Sequence, residues 1–206
     1  MEAVRRPYHA GLTREAVVAA AVDALQERGV AGFSLRRLAA HLDVDTMALY
    51  KHVRNKDDLI GAALSQVFQD ARPASEGEWW ERAAHTFREH RRILREHPWA
   101  LTVLLSFTLE SSEPWVGVND TLTLLRAPLG AAGAARWMRL LAAFTNGFLL
   151  TEADVVEPAD ARQVASDYPQ VAAAMGKNAR TGDQDFELGL RLVVDGMRAA
   201  AAARAS

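Results

Sequence analysis

Three side chains in the middle of the chain have the spacing of a metal site. Glu81, His85 and Glu89 fall at i, i+4 and i+8, so a helix would place two carboxylates and an imidazole on one face. Their surroundings argue against that use. Arg82, Arg88, Arg91 and Arg92 are interleaved with the trio, which reads as a solvated, ion-paired face, and di-metal bundles draw a further carboxylate–histidine pair from a second helix. No glycine-rich phosphate loop and no nucleophile motif occurs in the 206 residues, and there is no cysteine to bind zinc or form a disulfide. The expectation is a protein that is not an enzyme and carries no metal and no cofactor, with a helical-bundle enzyme as a remote alternative.

A second signal lies in how charge is distributed along the chain. The net charge of −2 hides an uneven distribution. Residues 1–56 carry nine Lys/Arg against six Asp/Glu, and the remainder carries fifteen against twenty. A basic head on an acidic body directs a polyanion contact to the head.

The elements that must position these residues are helices. Thr13 caps a first helix whose Val17, Ala21, Ala24 and Leu25 form an apolar stripe, and Gly29 stops it. Ser34 caps a second helix of about two turns, with Leu35, Leu38, Ala39 and Leu42 on its apolar face. Asp43 and Val44 make a tight turn. Thr46 to Val53 forms a third short helix with Leu49 and Val53 inward, and Asn55, with Asp58 three residues on, starts a fourth that runs to about Asp70. Residues 71–77 are a linker. Behind it come Glu78–His97, Trp99–Leu109, a break at 111–114, Val118–Arg126 ending near Pro128 and Gly130, Ala131–Ala153, a mixed region Ala159–Lys177 and Asp185–Ala203, with a fraying alanine-rich tail. No strand is predicted, so the fold class is all-α. Two short helices joined by a tight turn present a protruding second helix to the DNA major groove, or else form a hairpin inside a bundle.

The string FSLRRLAAHLDVDTMALYKHVRNKDDL at 33–59 closely resembles the DNA-binding domain of the TetR family. The matching pieces are Leu38-Ala39, Leu42-x-Val44, Leu49-Tyr50-x-His52-Val53 and Asn55-Lys56-x-x-Leu59. Asp43 departs from the family's usual turn glycine, at a position where aspartate tolerates a left-handed backbone. The resemblance implies a three-helix helix-turn-helix head over 1–65 and a larger helical ligand-binding and dimerisation domain over 66–206. It implies that Thr46, Met47, Ala48 and Lys51 face base edges and that Arg36 is a second base reader. Ser34 at the start of the second helix joins the DNA-binding set, with Tyr50 and His52 as phosphate or positioning contacts and Lys56 as a phosphate contact. Arg5 and Arg6 form a minor-groove arm or a frayed terminus.

In the back half, Glu96-His-Pro-Trp99 and Phe144-Thr-Asn-Gly-Phe148 resemble the regulatory domain of the tetracycline-repressor branch. Trp80, Phe87 and Leu94 repeat at seven-residue spacing, and Trp137, Leu140, Leu141, Phe144 and Phe148 form a second stripe. Either stripe is plain core or the wall of a pocket; as a pocket it would include Phe107 and Asn146 and would take a flat, apolar or aromatic molecule. Thr145 and Asn146 either satisfy local backbone or supply that pocket's polar contacts. The implied protein is a ligand-responsive regulator, expected to be a repressor that leaves a palindromic operator on binding a small molecule; the alternative is a DNA-binding dimer without a ligand. A homodimer would form through Ala131–Ala153 and Asp185–Ala203, where Gly147, Gly189 and Gly196 permit close approach. No signal peptide is visible near the start and Arg136 and Arg139 interrupt the most apolar stretch, so the expected location is the cytoplasm, with no membrane partner.

Overall fold

The computed structural model describes residues 11–106, 115–153, 166–170 and 182–206, and the regular elements among them are helices. In chain order these are α1 (Arg14–Gly32), α2 (Leu35–His41), α3 (Thr46–Leu49), α4 (Lys56–Val67), α5 (Trp79–Glu96), α6 (Pro98–Ser106), α7 (Trp115–Ala153) and α8 (Asp183–Ala205). Arg5, Arg6, Phe107, the break at 111–114 and most of the 159–177 region lie outside the described residues. Among the described residues no helix is long and apolar enough to cross a membrane.

Contacts divide the chain into two compact units, Met1–Pro73 with Arg92–Thr121, and Ala74–Arg91 with Leu122–Ser206. This line differs from a break after residue 65, because a later stretch of chain packs with the head.

In the first unit, the Thr13 hydroxyl accepts the N–H of Ala16 at 3.2 Å and so starts α1, which buries Val17, Val18, Ala21 and Leu25. Gly29, at φ 64°, breaks the helical backbone where a stop was expected. Ser34 caps α2 by accepting from the N–H of Arg37. Asp43 takes up φ 56°, the left-handed turn conformation that the sequence requires there. α4 buries every residue from Asp58 to Leu64. No single face can do that; α1 and α6 both pack on it. The Gln26 amide of α1 donates to the carbonyl of Glu96 at 3.0 Å, and its oxygen meets the His97 ring at 3.1 Å. At the start of α7, a Cβ on Gly117 would lie 2.9 Å from the carbonyl oxygen of Ala71, so the end of α4's exit and α7 pack backbone to backbone.

In the second unit, the core is built from Ala83, Ala84 and Phe87 of α5, Leu125, Leu129, Ala134 and Leu141 of α7, and Phe186, Leu190, Val194 and Met197 of α8. α7 is two helical runs meeting at Gly130, whose φ of 71° follows Pro128. The guanidinium of Arg204 sits against that break. α8 stays helical to Ala205 rather than fraying from Ala199. Alanine is the best helix former, and the Arg204 side chain packs beside Gly130 of α7.

Candidate nucleic-acid interface and aromatic cluster

All nine side chains expected to meet DNA fall between Ser34, the N-cap of α2, and Lys56, the first residue of α4. Arg36, Met47, Tyr50 and Lys51 are exposed, whereas Ser34, Thr46, Ala48, His52 and Lys56 are half-buried. α3 is four residues long, not the eight expected over Thr46–Val53. After Leu49 the chain tightens, with Lys51 N–H bonded to Ala48 and His52 N–H to Leu49. Leu49 and Val53 are nevertheless both buried and anchor the segment.

The polar atoms around this surface are tied down by the chain itself. Asp45, not singled out from sequence, caps α3 by accepting the N–H of Met47 at 2.7 Å. Arg36 and Arg37 are both exposed, and Arg37 folds back to donate to the Gly32 carbonyl at 3.1 Å. Asn55 caps α4 through the N–H of Asp58 at 2.7 Å. Asp58 does not close the reciprocal capping box; its carboxylate accepts the N–H and the guanidinium of Arg54, each at 3.0 Å. Burial pushes the Asp58 carboxyl up, but these Arg54 bonds outweigh it and hold the group below the usual carboxylate range. The Lys56 ammonium lies 3.5 Å from the Val30 carbonyl and 5.8 Å from the centroid of the Phe33 ring. That hydrogen bond is long, so a stronger acceptor competes readily for the ammonium.

In the second unit, Trp80, Phe87, Trp137 and Phe144 gather in or against one core cluster. Leu94 is buried, but it belongs to the other unit, and Phe107 lies outside the described residues. Phe144 stacks on Phe186 at 5.4 Å, and Phe148 meets Phe186 edge-on at 5.4 Å. Asn146 Oδ1 lies 2.9 Å from Nε2 of His90, and burial pushes that imidazole below its ordinary value, with the Asn146 bond opposing. The Thr145 hydroxyl is fully buried and finds no partner among the described residues.

Two sequence assignments change here. Arg91, placed on a solvated face, is buried; it pairs with Glu152 of α7 and with Asp183 of α8 at 2.8 Å, and its guanidinium lies 4.4 Å from the Phe186 ring centroid. Gly189 is half-buried and faces Phe144 within the same chain, where a Cβ would overlap the ring, whereas Gly196 is exposed, with Trp137 3.2 Å from where its Cβ would stand. Gly147 has nothing within 4 Å of where a Cβ would stand. An open hollow of about 480 Å³ lies among Trp79, Trp80, Asp195, Arg198 and the alanines of α8, with Arg198 stacked 4.4 Å from Trp80. Of the expected ligand residues it touches Trp80 alone.

Residues 17–63 match the family of bacterial regulatory proteins of the tetR type, and residues 72–201 match the tetracyclin repressor-like C-terminal domain. The chain belongs to the TetR family. It is 32% identical to an HTH-type transcriptional regulator of Saccharopolyspora erythraea, across 92% of this chain and 86% of that one. It is 31% identical to the HTH-type transcriptional repressor DrrR1 of Streptomyces coeruleorubidus, across 94% and 80%. Among solved structures, ActR of Streptomyces coelicolor in complex with actinorhodin superposes with a TM-score of 0.74 at 27% identity, covering 93% of this chain and 99% of that one. This TetR-family chain is therefore a DNA-binding transcriptional regulator of non-enzymatic type, and relatives of it bind small molecules.

Proposed function

We propose that this regulator is a cytoplasmic homodimeric repressor that holds a two-fold operator through α2 and α3 and releases it when an apolar or aromatic molecule enters the α5–α7–α8 cluster. The observation that carries the reading is the contrast along α3. Leu49 is fully buried, while Met47, Tyr50 and Lys51 stand exposed on a segment capped by Asp45. A short helix and turn that bury Leu49 and leave Met47, Tyr50 and Lys51 exposed suit recognition from outside. Arg36 and Lys51 can bond purine edges, and Lys56 can meet a phosphate at the start of α4.

The dimer follows from the reach of one head, which spans too few base pairs for useful specificity. Leu140, Gly147 and Leu150 on α7 and Leu188 and Leu192 on α8 are exposed at helical spacing, an apolar face suited to a second copy. The ligand reading rests on the aromatic cluster around Phe144, with the His90–Asn146 pair as its polar element, and on the likeness to ActR, which was solved with actinorhodin.

The test starts with a duplex selected from a randomised pool and binding followed by fluorescence anisotropy. A bound stoichiometry of two chains per site, and release by actinorhodin or another aromatic probe, are the expected results. Phe144→Leu should shift the response to the probe and leave operator binding in its absence nearly unchanged. Sedimentation showing a monomer of 22.5 kDa at micromolar concentration would remove the dimer. A variant that keeps its melting temperature yet loses operator binding without any ligand would show that the cluster is not a separable sensor.

A further inference from the structure

Met47 is 69% exposed, more than any other large apolar side chain among the described residues. Its backbone is fixed. The Asp45 carboxylate accepts the N–H of Met47 at 2.7 Å, and the Asp45 carbonyl accepts that of Ala48 at 2.9 Å. Leu49, two residues on and so on the opposite side of the turn, is 0% exposed. The chain thus anchors α3 through Leu49 while the Met47 thioether and methyl project into solvent. Tyr50 is 47% exposed, and Lys51 is exposed in the turn that follows α3. The exposed surface from Met47 to Lys51 therefore carries an apolar chain, a phenol ring and a cation, and Arg36 of α2 is exposed as well.

An apolar side chain directed at a duplex has one apolar group to meet. The C5 methyl of thymine projects into the major groove, and the minor groove offers no counterpart. Polar base edges reward Arg36 and Lys51, but a thioether gains nothing from them. Methionine, with three rotatable bonds and a polarisable sulfur, can fold over a methyl group at a position that a rigid side chain would miss. We propose that Met47 is a specificity-determining residue that reads thymine through its C5 methyl. The inference rests on the reading that α3 enters the major groove.

The decisive substitution removes the methyl alone. In the selected operator, thymines are replaced one at a time by deoxyuridine, which keeps the base pair and O4 and deletes only the C5 methyl. At one or two positions in each half-site the full-length protein should bind about three- to fivefold more weakly, the size expected for one buried methyl. Met47→Ala, at an exposed position, should keep its melting temperature, bind the thymine operator more weakly, and lose the distinction between thymine and uracil at those positions. Uracil-insensitive binding by the unsubstituted protein overturns the proposal, as does a penalty that survives undiminished in Met47→Ala. Both results would leave the DNA-binding surface in place. A chain that selects no duplex from the pool, or whose Lys51→Ala and Lys56→Ala forms bind unchanged, removes that surface and this proposal with it.

Discussion

The Cβ that Gly189 lacks would stand 2.5 Å from two ring carbons of Phe144. α8 therefore presses its backbone against an aromatic face of α7, and the contact needs the smallest residue. In most helix interiors Gly→Ala gains up to about 1 kcal/mol. At 189 the overlap outweighs that gain, and Gly189→Ala should lower stability by about 1–3 kcal/mol. Gly147→Ala, with open space around it, should raise the intrinsic stability of the monomer. Denaturant unfolding distinguishes the two. If Gly147→Ala at the same time weakens self-association by sedimentation, the glycine lies inside the interface between copies.

Arg91 gives a prediction about a buried charge. Arg91→Leu would strand the Glu152 carboxylate, which is largely buried, and should cost about 3–5 kcal/mol. Replacing Glu152 by Leu in the same chain should recover much of the loss, because a buried pair and its apolar replacement are often close in free energy. Asp183, being mostly exposed, should contribute little to this coupling. A double variant as unstable as Arg91→Leu alone would contradict the assignment.

Acid should act on the head through Asp58. Its carboxyl is held below the unfolded value, so its contribution is fully present above the ordinary carboxylate range and is lost as pH falls through the folded value. Asp58→Asn should lower the melting temperature at neutral pH and flatten the fall in stability below about pH 4. A melting curve against pH that is parallel in both proteins would remove Asp58 from the acid transition.

Lys56→Ala should weaken binding to selected and random duplexes alike and lower the slope of log affinity against log salt by about one. The Val30 and Phe33 contacts of the ammonium are weak enough that the melting temperature should move little. An unchanged slope would mean that Lys56 serves only the connection between α1 and α2.

Much of the head was legible in local signals. Thr13, Ser34 and Asn55 cap as their types and positions require, Gly29 breaks α1, and Asp43 supplies the left-handed turn. Such features depend on residues three or four apart. The length of α3 was not legible, because the sequence continues a helical pattern to Val53 while the backbone tightens after Leu49. Gly189 and Gly196 were read for their size alone. Gly189, three residues after the buried Phe186, had the phase to face inward, whereas Gly196 continues the exposed Leu188 and Leu192 row. The Arg91 cluster joins residues 61 and 92 positions apart, and no local pattern announces it. Whether the aromatic stripe is core or pocket was open from sequence; Phe87 proves to be packed core, while Trp80 borders open space.

α3 is too short to persist on its own, since a single turn fixes more dihedral angles than its hydrogen bonds repay. It exists because Leu49 and Val53 are held in the core of the head. The reading surface thus has no separate melting point. Warming that loosens the packing around Leu49 and Val53 should erase recognition in the same step.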